Sequence, residues 1–139
     1  MPVVVCPSCS KRARIREAAP GLPRCPGCGT YLPWLVDADE ESFEAEANAP
    51  VPVIVDLWAP WCGPCHALAP VLERLSARHA GKIKVVKVNT DESPQLAKRF
   101  DASSIPLLVV LRDGEEEARI VGAHPLPALE ARLAPFLVS

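Results

Sequence analysis

Val53-Ile54-Val55-Asp56-Leu57-Trp58 is a near-continuous run of β-branched and aromatic residues bounded by prolines, the pattern of a strand buried on both faces. Directly after it the period changes. Leu68, Val71, Leu72, Leu75 and His79 recur at helical spacing and predict a helix from about Cys62 to Ala80. Pro70 falls inside that helix and is expected to kink it, and Gly81 to end it. Ile83–Val88 reads as the next strand. Ser93 reads as an N-cap with Pro94 at the first helical position, opening a helix that runs to about Phe100. Leu107–Leu111 reads as a central strand, Asp113-Gly114 as a hairpin turn and Glu116–Val121 as its partner strand. Leu126, Leu129, Leu133 and Phe136 mark a last amphipathic helix. Ahead of these, the acidic stretch from Asp37 to Pro50 suits a linker or a short helix around Glu40–Ala47, with a short strand near Trp34–Val36 before it. The order β-α-β-α-β-α-β-β-α predicts an α/β fold with a central mixed sheet flanked by helices, parallel at its core, with the hairpin as an antiparallel edge.

The first 30 residues follow a different pattern. Cys6-Pro7-Ser8-Cys9 and Cys25-Pro26-Gly27-Cys28 are separated by 15 residues, the two-knuckle spacing of a zinc ribbon. Pro20, Gly21 and Pro23 break up the intervening stretch, so no long helix is expected there. Four thiolates at Cys6, Cys9, Cys25 and Cys28 suit one tetrahedral Zn²⁺ with a closed shell, a structural rather than catalytic metal. Iron is the alternative for an all-sulfur site. The division expected is a zinc ribbon over 1–30 and a second domain over 31–139, and 139 residues suffice for both.

Charge adds little pull toward any polyanion. The net charge is −2, although residues 1–36 hold five Lys/Arg and one acid. The basic run Lys11-Arg12-Ala13-Arg14-Ile15-Arg16 is short and carries no interleaved aromatic, so it reads as a solvated face rather than a nucleic-acid site. The longest apolar run, Ile105 to Leu111, cannot span a bilayer, and Val3-Val4-Val5 is too short for a signal core. A reducing cytoplasm is therefore expected, where close cysteine pairs are metal ligands or redox catalysts more often than structural disulfides.

The third pair, Cys62-Gly63-Pro64-Cys65, differs from the other two in its setting. It follows the buried strand and opens the long helix, where free backbone N–H groups and the helix dipole stabilise a thiolate. Two thiols in this spacing can close into a disulfide and reopen. Asp56 is the polar misfit in the strand beneath; a buried carboxylate there is expected to have a raised pKa and to act as a general base.

From about Leu35 to Val138 the chain resembles a thioredoxin. The resemblance rests on Val55-Asp56-Leu57-Trp58-Ala59-Pro60-Trp61-Cys62-Gly63-Pro64-Cys65, Ala69-Pro70, Val86-Lys87-Val88-Asn89, Ser104-Ile105-Pro106 and Val121-Gly122-Ala123, in that order. With the N-terminal knuckles it is similar to the zinc-ribbon-bearing bacterial thioredoxins, the thioredoxin 2 type. The resemblance implies a thioredoxin fold and protein-disulfide reductase activity, with Cys62 as nucleophile and Cys65 as the more buried resolving thiol. It implies a cis peptide bond at Pro106, placing the Ile105 backbone to pair with an extended substrate. Trp61, Gly63, Pro64, Gly122 and Ala123 would form a flat rim around the nucleophile. The expected partners are NADPH-dependent thioredoxin reductase and disulfide-bearing proteins, and the chain is expected to be a monomer. Leu107 stands where the family commonly has Thr, and His66 where Lys or Arg is usual; His66 is expected to point to solvent. Two further roles fit the ribbon, as a recruiter of partners for a redox-gated binding module or as an oxidant sensor that releases zinc.

Overall fold

The computed structural model describes residues 3–15 and 21–137; Arg16, Pro20 and Val138, named above, lie outside them. The expected strands and helices all form, with shifted ends. The N-terminal part pairs β1 (Val3–Val5) with β2 (Arg12–Arg14) antiparallel, and a bridge joins Arg24 to Tyr31. The main sheet contains β3 (Leu35–Ala38), β4 (Val53–Trp58), β5 (Lys84–Asn89), β6 (Leu107–Arg112) and β7 (Glu115–Val121), in the order β3-β5-β4-β6-β7. Helices α1 (Phe43–Ala47), α2 (Gly63–Arg78), α3 (Pro94–Arg99) and α4 (Leu126–Leu133) flank it, and a 3₁₀ turn follows at Ala134–Phe136.

The antiparallel part of the sheet is larger than the hairpin alone. β3, β5 and β4 are parallel, but β6 already runs against β4 at the centre. The helix between β5 and β6, α3, is short. Six helical residues advance about 9 Å, whereas a six-residue strand spans about 20 Å. The helix alone does not carry the chain back along the sheet, and the chain re-enters at the end where it left β5. The Asp113-Gly114 turn has φ of 53° and 82°, the two left-handed residues of a type I′ hairpin.

Strand alternation divides the core. Val53, Val55, Leu57, Leu107, Val109 and Leu111 face Phe43, Leu96 and Phe100 from α1 and the α3 region. Ile54, Leu108 and Val110 face Leu68, Leu72 and Leu75 of α2 and Leu129 and Leu133 of α4. Asp56 shares the parity of Ile54 and so lies on the α2 side. On the first face the core runs on into the N-terminal part, where Cys6, Ala13, Ile15 and Cys25 join Leu32 and Trp34. Lys84 is buried there, with Nζ 2.9 Å from Glu46 Oε1 and over the Trp34 ring.

Local polar bonds explain two shifted ends. Asp39 Oδ1 accepts from the N–H groups of Glu41 and Ser42, making a turn that delays α1 to Phe43. Ser93 does occupy the N-cap of α3, but its hydroxyl makes no capping bond and is buried without a hydrogen-bond partner among the described residues. Glu40 Oε1 takes that role, accepting the Gln95 N–H at 2.6 Å. Pro70 lies within α2 without ending it, and Gly81 lies two residues beyond the His79 cap with φ of 85°.

Candidate active site and four-thiol cluster

The buried β4 strand delivers the chain through Ala59 and Pro60 onto the start of α2. Cys62 is the N-cap residue, and its Sγ accepts the Cys65 N–H at 3.2 Å. Pro64 suits the first turn, where its missing N–H has no intrahelical partner to lose. Cys62 and Cys65 form a disulfide with Cα atoms 5.2 Å apart. Ala59, Trp58 and Ile105 make an apolar shell around the two sulfurs. Cys65 is not the more buried of the two: in the disulfide both residues are 5% exposed, because the bonded sulfurs share one shell.

The loop before β6 meets this pair. Ile105-Pro106 is cis, and the Ile105 carbonyl oxygen lies 4.0 Å from Cys62 Sγ. Gly122, at φ of 94°, donates its N–H to the Pro106 carbonyl at 2.9 Å, bringing the end of β7 to the same loop. Trp61 is 71% exposed, with its indole N–H donated to Asp91 Oδ1 at 3.1 Å. Gly63, Pro64 and Ala123 are exposed and Ile105 is half-buried. Ile105 thus packs against the sulfurs and Gly122 bonds to the cis-proline loop beside them, while Asp56 lies apart on β4.

Asp56 is 2% exposed and its Oδ1 has no hydrogen-bond partner among the described residues. Burial pushes its carboxyl up from the ordinary 3.8 to about 6, against the pull of Lys87. In the parallel register Lys87 stands opposite both Asp56 and Asp37, and its Nζ lies 5.2 Å from the Trp58 ring centroid. Lys87 and Asp91 are charged neighbours of Trp58 and Trp61 that the sequence pattern did not single out. The signal for Lys87 was the one cation within the apolar run Val85–Val88; Asp91 offered none. Leu107 is buried at 1% exposure behind the cis bond. His66 is exposed, but it does not simply point to solvent: its Nε2 lies 2.6 Å from the Pro60 carbonyl oxygen.

The other two pairs converge at a separate place. The sulfurs of Cys6, Cys9, Cys25 and Cys28 all lie within 4.8 Å of one another. The two knuckles repeat one set of backbone bonds. Cys6 N–H donates to Lys11 O and Ser10 N–H to Cys6 O; Cys25 N–H donates to Thr30 O and Gly29 N–H to Cys25 O. Ser10 and Gly29, at equivalent positions, have φ of 64° and 79°. The N–H groups of Ser8 and Cys9 point at Cys6 Sγ, and that of Gly27 at Cys25 Sγ, at 3.4–3.5 Å. Tetrahedral thiolates about a zinc-sized ion would sit about 3.8 Å apart. The Cys6–Cys28 and Cys9–Cys25 separations are 3.5 and 3.6 Å. The cluster therefore fits a divalent metal with four sulfur ligands, and the N–H groups would stabilise thiolate charge there.

Comparison with known proteins agrees with the disulfide site. The thioredoxin family model matches residues 35–135. Thioredoxin 1 of a Nostoc species is 46% identical over 99 residues, 70% of this chain and 92% of that protein. The chloroplastic M-type thioredoxin of Triticum aestivum is 39% identical over 129 residues, 92% of this chain and 73% of that protein. The crystal structure of Malassezia sympodialis thioredoxin superposes with a TM-score of 0.68 at 28% identity, covering 76% of this chain and 91% of that one. The matched segment contains the strand, the disulfide and the cis-proline loop together, and the chain belongs to the thioredoxin family of thiol–disulfide oxidoreductases.

Proposed function

We propose that this chain is a cytoplasmic protein-disulfide reductase of the zinc-ribbon-bearing, thioredoxin 2 type. The carrying observation is that Cys62-Cys65 alone among the three pairs follows a buried strand, opens a helix and faces the Ile105 carbonyl. In the reduced protein the Cys62 thiolate attacks one sulfur of a substrate disulfide, expels the other as a thiolate and forms a mixed disulfide. Cys65 passes its proton to Asp56 and attacks Cys62 Sγ. The second substrate sulfur leaves and is protonated, so the substrate gains two electrons and Cys62–Cys65 becomes the disulfide. A carboxyl with a pKa near 6 is ionised at neutral pH and able to take that proton.

Trp61, Gly63, Pro64, Ile105, Pro106, Gly122 and Ala123 form the docking rim, with the Ile105 backbone pairing to an extended substrate segment. NADPH-dependent thioredoxin reductase restores the dithiol, and the chain works as a monomer. Residues 1–30 form the ribbon and 31–139 the thioredoxin domain. Cys6, Cys9, Cys25 and Cys28 hold one structural zinc, supported by the sulfur spacing and the donor N–H groups. Cysteine usage supports the cytoplasm; among the described residues no helix is long and apolar enough to cross a membrane.

Two variants test the assignment. Cys62→Ser is expected to lower insulin-disulfide reduction by at least about a thousandfold. Cys65→Ser is expected to accumulate a mixed disulfide with the substrate through Cys62, visible on a non-reducing gel. Reduction that survives Cys62→Ser, or a conjugate that forms through another cysteine, would refute it.

A further inference from the structure

His66 takes no part in the exchange steps above, yet it is tied into the loop that presents them. It sits on the first turn of α2, where its backbone N–H reaches Cys62 O at 3.3 Å. Its side chain turns back over the loop, with Nε2 2.6 Å from the Pro60 carbonyl. The ring meets Trp58 edge-on, with centroids 6.1 Å apart. A carbonyl only accepts, so Nε2 carries the proton, and the bond holds in both the neutral and the charged imidazole. Pro60 has no N–H of its own, so the turn before the disulfide has few backbone ties. The one that closes it is Cys62 N–H to Ala59 O at 3.1 Å. The His66 bond adds a second. It closes a ring from Pro60 to His66 that encloses Trp61, Cys62 and Cys65.

We propose that His66 is a positioning residue for disulfide exchange, its Nε2–H bond to the Pro60 carbonyl holding the Trp61–Cys62 turn against α2. The charged groups tied to the same surroundings are Lys87 on β5, packed over Trp58, Asp91 after β5, bonded to Trp61, and Asp56 on β4. None of them contacts Pro60 O among the described residues, so the tie depends on His66 itself. The inference rests on exchange at Cys62 as proposed above.

His66→Phe keeps a ring but loses the donor; His66→Gln keeps a neutral N–H at a similar reach. With pre-reduced protein and insulin, His66→Phe is expected to lower the second-order rate constant about three- to tenfold, and His66→Gln to stay within about twofold of the parent chain. Both should keep the parent melting temperature within a few degrees, since the residue is exposed. In the unsubstituted protein the Nε2 proton should be directly visible in ¹H–¹⁵N spectra, because the bond slows its exchange with water. A His66→Phe rate equal to that of the parent would overturn the inference. So would a His66→Gln loss as large as that of His66→Phe, which assigns the effect to charge or ring, or an Nε2 without a proton. A parent chain that reduces no insulin would remove the exchange reading itself.

Discussion

Asp56 costs the folded protein stability by keeping a titratable group buried within β4. Its ordinary pKa is 3.8 and its folded value about 6, raised chiefly by burial. The folded state therefore holds the proton more tightly than the unfolded chain. Its contribution is most favourable below pH 4, declines as the pH rises to about 6, and stays constant above that. Two units correspond to about 3 kcal/mol. Asp56→Asn is accordingly expected to stabilise the oxidised protein by about 2–3 kcal/mol at pH 8 and to have little effect at pH 3.5. Urea unfolding at the two pH values measures this, and an Asn variant no more stable at pH 8 would contradict it. The residue was visible in sequence because a carboxylate breaks an otherwise apolar strand. Lys87 across the sheet needed the parallel register to be seen, and the His66–Pro60 bond needed coordinates, since no periodicity encodes a side chain folding back over its own loop.

At the scale of elements, α2 carries the site and is fixed at both ends by residues readable in sequence. Its start is set by Cys62 as N-cap and Pro64 in the first turn. Beyond its end, Gly81 has φ of 85°, as a helix-ending glycine suggests. The structure adds a second constraint there. A Cβ on Gly81 would lie 2.6 Å from Cδ2 and 2.7 Å from Cγ of Tyr31, whose ring also lies under the Arg24 guanidinium. Gly81→Ala is therefore expected to cost at least about 2 kcal/mol, more than backbone conformation alone would. Adding Tyr31→Ala should return part of that loss in a double-mutant cycle. A neutral Gly81→Ala in denaturant unfolding would contradict the contact. Turn chemistry was the less legible part. Glu40 caps α3 from 55 positions away, so the local Ser93-Pro94 signal located the helix but named the wrong capping group. Likewise the direction of β6, antiparallel to β4, depended on how the connection through the short α3 runs, which the periodicity alone did not show.

At the scale of the molecule, three cysteine pairs of equal spacing are sorted by their surroundings. Four thiols gather at one point, enclosed by two equivalent knuckles, and two lie in an apolar shell between α2 and the cis-proline loop. The spacing of the knuckles and the strand-to-helix setting of Cys62 made this division legible in sequence. The shared core did not show there. Cys6, Ala13, Ile15 and Cys25 belong to one buried cluster with Trp34, Phe43 and Val86, a contact no linear pattern reports. Which thiols exchange is decided by metal analysis with thiol mapping. The intact protein is cycled between dithiothreitol and a mild disulfide oxidant, alkylated without denaturation in each state and mapped by mass spectrometry. The expected result is one zinc per chain, two thiols that appear and disappear at Cys62 and Cys65, and four protected thiols at Cys6, Cys9, Cys25 and Cys28 in both states. Cycling at the four N-terminal cysteines with Cys62 and Cys65 unchanged would contradict it.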